Sequence, residues 1–143
     1  MRIETMPFEA WRNRAFREPY ELHGEDDAPF DLTGKSIRME VRQYGAQPGD
    51  ALVTLELVTS DVQGIRVIDP LDGSTDPTRG IIRILIDQAT LAAFPGGPVQ
   101  GTEPNQPDRF VYDLVVYRAA PDEDLAFGGT FTLWPGTTVP PSL

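Results

Sequence analysis

Apolar and polar residues alternate with a period of two through most of this chain. Ile37, Met39 and Val41 alternate with Arg38, Glu40 and Arg42, the pattern of a strand with one buried face. Leu52 to Leu57 repeats it, with Val53, Leu55 and Leu57 opposite Thr54 and Glu56. Ile65 to Ile68 is a short third run. Ile81 to Ile86 is apolar on both faces around Arg83. Phe110 to Tyr117 is the longest run, and Phe127 to Trp134 closes the set. Phe16, Tyr20 and Leu22 predict one or two further strands near the start. Pro19 lies among them, so at least one is an edge strand or carries a bulge. The single helical candidate is Asp87 to Phe94, with Asp87 as its cap.

Punctuation is dense, with 13 glycines and 14 prolines. Gln47-Pro-Gly-Asp50 predicts a hairpin between the strands at Ile37 and Leu52. Asp72-Gly73 and Gly96-Gly97 mark further turns. Short strands divided by such turns predict an all-β, antiparallel sandwich or barrel. The expected organisation is an N-terminal extension or first strand over 1–15, one sandwich domain over 16–134, and an extended tail over 135–143. The stretch Pro95 to Asp108 holds four prolines and three glycines and reads as a long loop.

With 143 residues the chain fits one domain, long enough to bury about two-thirds of its unfolded surface without a staple. It has no cysteine, which excludes disulfides, zinc–thiolate sites and thiol chemistry. Its net charge of −10 repels phosphate backbones and anionic headgroups, so nucleic-acid binding is not expected. No apolar run reaches membrane-span length, and Met1 to Ala10 carries Glu4 and Glu9 with no apolar signal core. The expectation is a protein used without export.

Candidate chemistry is sparse. Ile68-Asp-Pro-Leu-Asp-Gly-Ser74 resembles the metal-binding signature of the inositol monophosphatase and fructose bisphosphatase families. That resemblance would place Asp69 and Asp72 on magnesium and Ser74 on the attacking water. The chain is too short and too β-patterned for their layered α/β fold, and turn chemistry accounts for the same residues. His23 is the only histidine, so no triad and no multi-histidine metal site can be built from it. Glu25-Asp26-Asp27 and Asp122-Glu-Asp124 match no calcium loop and read as solvated turns. Trp11 and Trp134 read as lids over the core. No catalytic residue, cofactor or metal is expected.

The order of signals resembles a known family. Phe30-Asp-Leu-Thr-Gly34, Ile37-Arg-Met-Glu-Val-Arg42, Gly80-Ile-Ile-Arg-Ile-Leu-Ile86 running into Ala89-Thr-Leu91, Tyr112-Asp-Leu114 and Gly128-Gly-Thr-Phe-Thr-Leu133 follow one another as in the immunoglobulin-like β-sandwich modules of tailed-phage structural proteins. The closest type is the N-terminal module of baseplate upper proteins and tail-fibre adaptors. The usual Gly-Asp pair of the first strand is absent, and the loop from Pro95 is longer than the pattern.

The resemblance implies a sandwich of seven to nine strands with one short helical turn and no catalytic residues. It also implies a non-enzymatic virion protein, assembled in the host cytoplasm, that binds other tail, baseplate or fibre proteins in multiple copies of a symmetric assembly. Partner contacts are expected from the ends and the proline-rich loop, at Ile3, Met6, Phe8, Trp11, Phe94 and Val99. Met6 and Phe8 share a side of an extended segment that would add to an edge of a neighbour's sheet. The competing expectation is a carbohydrate-binding β-sandwich that stacks sugars on Tyr44, Tyr117 and Phe94.

Overall fold

The computed structural model describes residues 2–24, 26–44, 49–96, 106–119 and 122–136. Nine strands form: β1 (Arg2–Thr5), β2 (Phe8–Trp11), β3 (Phe16–Glu21), β4 (Ser36–Arg42), β5 (Val53–Val58), β6 (Gly64–Val67), β7 (Ile81–Ile86), β8 (Asp108–Ala119) and β9 (Asp122–Trp134). A 3-10 turn (Pro77–Arg79) precedes β7, and α1 (Gln88–Ala92) follows it. The mostly-β expectation holds, and the helix falls inside the segment read for it. Asp87 occupies the N-cap position, but its side chain makes no cap bond. Its backbone N–H instead donates to Gln63 Oε1 at 2.8 Å.

The strands form one continuous sheet, folded over until it is nearly a barrel, in the order β1–β9–β8–β4–β5–β6–β7–β3, with β2 also on β9. The fold-over happens within β5. Its first residues, Val53 to Glu56, pair with β4, whereas Leu57 and Val58 pair with β6. One half is therefore β1/β2–β9–β8–β4–β5 and the other is β5–β6–β7–β3.

The sheet is mixed, which corrects the expectation of antiparallel strands throughout. β1 and β2 run parallel to β9, and β5 runs parallel to β6. Nearly the whole chain separates the first strand from the last, so no tight turn dictates their relative direction.

Alternation places the core. Ile37, Met39, Val41, Val53 and Leu55 point inward with Phe110, Tyr112, Leu114, Val116, Phe127, Phe131 and Leu133. Ile65, Ile82, Ile84, Ile86 and Phe16 meet them from the other half, and Leu91 and Phe94 belong to the same cluster. The odd positions of β7 face away from this core. Arg83 is nonetheless buried, because the turn after β5 folds across it: its guanidinium donates to Asp61 Oδ1 at 2.7 Å and to Val62 O at 3.0 Å. That is why β7 reads as apolar on both faces.

Pro19 stands in β3, an edge strand paired only with β7. Leu22 N–H donates to Gly80 O, so alternation turns the amides of Tyr20 and Glu18 toward β7 as well. Pro19 falls where β7 requires no donor.

Candidate functional site

The N-terminal segment was expected to reach a neighbour's sheet. In the structure it completes its own. Met6 N–H donates to Gly128 O at 2.8 Å, and the Tyr112 hydroxyl donates to Met6 O. Any side chain at position 129 would obstruct this, since a Cβ there would come within 2.8 Å of Met6 O. Phe8 is buried between two tyrosine rings, Tyr112 at 4.3 Å and Tyr20 at 4.9 Å between centroids, both stacked.

This corrects two of the expected partner contacts outright. Phe8 and Phe94 are core residues and have no free surface to offer, and Met6 is half-buried against the core. Ile3 contributes its backbone to the register opposite Ala126. Val99 lies outside the described residues, as do most of the proline-rich loop, the end of the tail and the first half of the Gln47-Pro-Gly-Asp50 turn.

Trp11 and Trp134 are register partners on β2 and β9. Their neighbours Ala10 and Leu133 point into the core, so both indoles lie on the outer face. They flank the core rather than cover it, and the Arg14 guanidinium sits 4.3 Å above the Trp11 ring. The aromatic set proposed for sugars is not brought together. Tyr117 pairs with Ser36 at the start of β4, Tyr44 lies beyond the other end of β4, and Phe94 is buried.

A residue that the pattern did not single out closes one end of the barrel. Arg12 is buried, and its guanidinium donates to Phe94 O and Pro95 O, each at 2.7 Å, and to Asp108 Oδ2 at 2.9 Å. It therefore holds both roots of the proline-rich loop against the end of β2. Nothing in the sequence distinguishes Arg12 from Arg14 beyond the alternation that turns Ala10 inward.

The segment Ile68 to Ser74 forms a stiff, projecting turn. Asp69 is buried and Arg79 lies beside it, Nη2 being 2.7 Å from Asp69 Oδ2. The same guanidinium reaches Asp72 Oδ2 through Nη1 at 2.8 Å. The remaining carboxylate oxygens are also taken: Asp69 Oδ1 accepts Leu71 N–H at 2.9 Å, and Asp72 Oδ1 accepts Ser74 N–H at 2.8 Å. Backbone bonds from Gly73 N to Asp69 O and from Asp69 N to Ser74 O close the turn. The hydrogen bond from Arg79 holds the Asp72 carboxyl below its usual range, and Arg79 is raised in turn.

A fixed cation, Arg79, thus occupies the place where the motif's resemblance would put magnesium. Asp76 N–H approaches Ser74 Oγ at 3.3 Å. Among the described residues, no group of three or more His, Asp or Glu side chains is placed to hold a metal ion.

At the tip of this turn Leu71 is 95% exposed. It forms part of the wall of an open groove of about 410 Å3, with Pro19, Tyr20, Pro70 and Ile81 as the other apolar lining and Glu21, Asp69 and Arg79 as the charged lining. Burial pushes the Tyr20 phenol up to about 12. His23 Nε2 lies 3.4 Å from Glu21, and its Nδ1 is 3.1 Å from Asp27 O. Asp124, expected in a solvated turn, instead lies in β9 and pairs with Arg118 at 2.7 Å and with Lys35. No helix among the described residues is long and apolar enough to cross a membrane. In comparisons with protein-family models, curated proteins and solved structures, nothing matches this chain.

Proposed function

We propose that this chain is a non-enzymatic, immunoglobulin-like β-sandwich that serves as an attachment module in a tailed-phage virion, binding neighbouring tail, baseplate or fibre proteins in multiple copies. The observation that carries the fold part of this reading is strand order. β9–β8–β4–β5 stand against β6–β7–β3, an order that supports reading β3 to β9 as strands B, C, C′, D, E, F and G of such a sandwich.

The motifs behind the resemblance support the same reading, because each does structural work in this chain. Asp31 accepts the Thr33 amide at 2.9 Å and Leu32 is buried, so Asp-Leu-Thr-Gly is a turn plugged into the core. Tyr112 and Leu114 are core residues, and Gly128-Gly129 admits the Met6 backbone. Chemistry finds little support in the acidic turn, whose carboxylates are occupied by Arg79 and backbone amides. The acidic surface disfavours nucleic acid as the partner.

The test is quantitative mass spectrometry of particles purified from a strain that carries the gene. A fixed copy number per particle is expected. Absence from particles that are otherwise complete overturns the proposal.

A further inference from the structure

We infer that the turn from Asp69 to Ser74 is a docking finger, with Leu71 as its anchor, for a protein partner that presents an apolar pocket edged by lysine or arginine. The assignment rests on the attachment reading and names the contact through which attachment is made.

Single exposed leucines are ordinary on protein surfaces. This one differs in how it is held. Leu71 is 95% exposed, against 44% for Leu57 and 50% for Val62, so it gives nothing to its own core. The turn beneath it is fixed by hydrogen bonds at Asp69, Leu71, Asp72, Gly73 and Ser74 and by the two ion pairs to Arg79. Ordering a side chain on a mobile loop opposes binding. A preformed turn has already met that cost, so its apolar tip is available to a pocket at little entropic expense.

The groove that Leu71 helps to line, with Pro19, Tyr20, Pro70 and Ile81 on its wall, extends the apolar contact from the tip. Its edge is acidic. Glu21 is exposed, Glu18 lies close enough to act on Tyr20, and the single charge of Arg79 is outweighed by Asp69 and Asp72. On a chain of net charge −10 this selects a basic-edged receiving surface. A second copy would bring the same carboxylates against themselves. A bilayer would meet one leucine and repelled anionic headgroups. A sugar would find an aliphatic tip where stacking needs an aromatic face.

The test is to place p-benzoylphenylalanine at position 71, and at position 62 as control, irradiate assembling particles and map the adducts. In parallel, incorporation of Leu71→Ser is measured against wild type. Leu71→Ser is expected to melt within about 2 °C of wild type, since exposed substitutions away from special features barely move stability, yet to incorporate at least about tenfold less. An adduct specific to position 71, on one virion protein and at an apolar segment flanked by Lys or Arg, is the expected product.

Three results overturn the inference: no adduct specific to position 71, an adduct only to another copy of this chain, or wild-type incorporation of Leu71→Ser. Wild-type chain missing from the particles is a different failure. It removes the attachment reading itself, and the docking assignment with it.

Discussion

Replacing Phe8 with alanine measures how far the first strands belong to the domain. Phe8 is 2% exposed and its ring is stacked on Tyr112 and Tyr20, with Phe16 at 5.6 Å on a third side. Removing a buried phenylalanine ring costs about 3–5 kcal/mol in lost transfer energy and residual cavity. Stacked aromatic pairs add about 0.5–1.5 kcal/mol each beyond buried area, and two are lost here. The site cannot collapse easily, because both tyrosines are anchored: Tyr112 bonds Met6 O, and Tyr20 is fixed by the β3–β7 register. A cost of at least about 4 kcal/mol is therefore expected, a large share of the ~5–15 kcal/mol stability of a domain. For a chain of this size that lowers Tm by about 12 °C. Glu9→Ala, on the exposed side of the same strand, should stay within about 0.5 kcal/mol of wild type. The measurement is thermal and urea unfolding followed by circular dichroism. A Phe8→Ala protein melting within about 3 °C of wild type would refute the placement of β2.

Leu114→Asp puts an unpaired carboxylate at a fully buried position of β8, at a cost of several kcal/mol, and should leave no cooperative melting transition. Gly129→Ala drives a methyl group toward Met6 O and should cost about 1–3 kcal/mol by overpacking, read as a lower urea midpoint. The carboxyls of Asp61, Asp72 and Asp124 are held low, chiefly by hydrogen bonds from Arg17, Arg79 and Arg118. Their contribution is complete above the unfolded value of about 3.9 and is lost as pH falls through the lower folded values, so Tm should hold down to about pH 4 and decline below it. Phosphomonoester hydrolysis with magnesium is expected to be absent; phosphate release abolished by Asp69→Ala would contradict that.

The strands were legible because each buries one face, and a period of two survives in the sequence wherever that is so. β4 is read almost residue by residue from it and the centre of β8 likewise, whereas Leu57, expected on the inner face of β5, is 44% exposed where that strand passes from β4 to β6. Alternation says nothing about which strand lies beside which, so neither the parallel placement of β2 on β9 nor the division of β5 between two neighbours could be read. Gly128-Gly129 was the available signal for a close backbone approach, but the approaching residue, Met6, is more than a hundred positions away. Arg12, Arg79 and Arg83 were opaque for a related reason. An arginine at a turn or in a strand reads as solvated, and only the folded chain brings each to its acceptors. The acidic turn was legible as turn chemistry from Asp-Pro and Asp-Gly. Its stiffness was not, because that depends on Arg79, the last residue of the 3-10 turn.

The parallel ladder of β1 and β2 on β9 gives the domain a direction in which it resists force. Arg2 lies opposite Leu125 and Trp11 opposite Trp134, so the start of the ladder faces one end of the molecule and the finish of β9 faces the other. Tension between residue 2 and residue 136 runs along the strands and loads the ladder in shear, with its evenly spaced bonds sharing the load instead of opening one after another. Phe8, wedged between its tyrosines, must leave in the same event. Forced unfolding is governed by the height of the unfolding barrier rather than by equilibrium stability. Pulled by its ends, the domain behaves as a latch; pulled across the ladder, it opens like a zip.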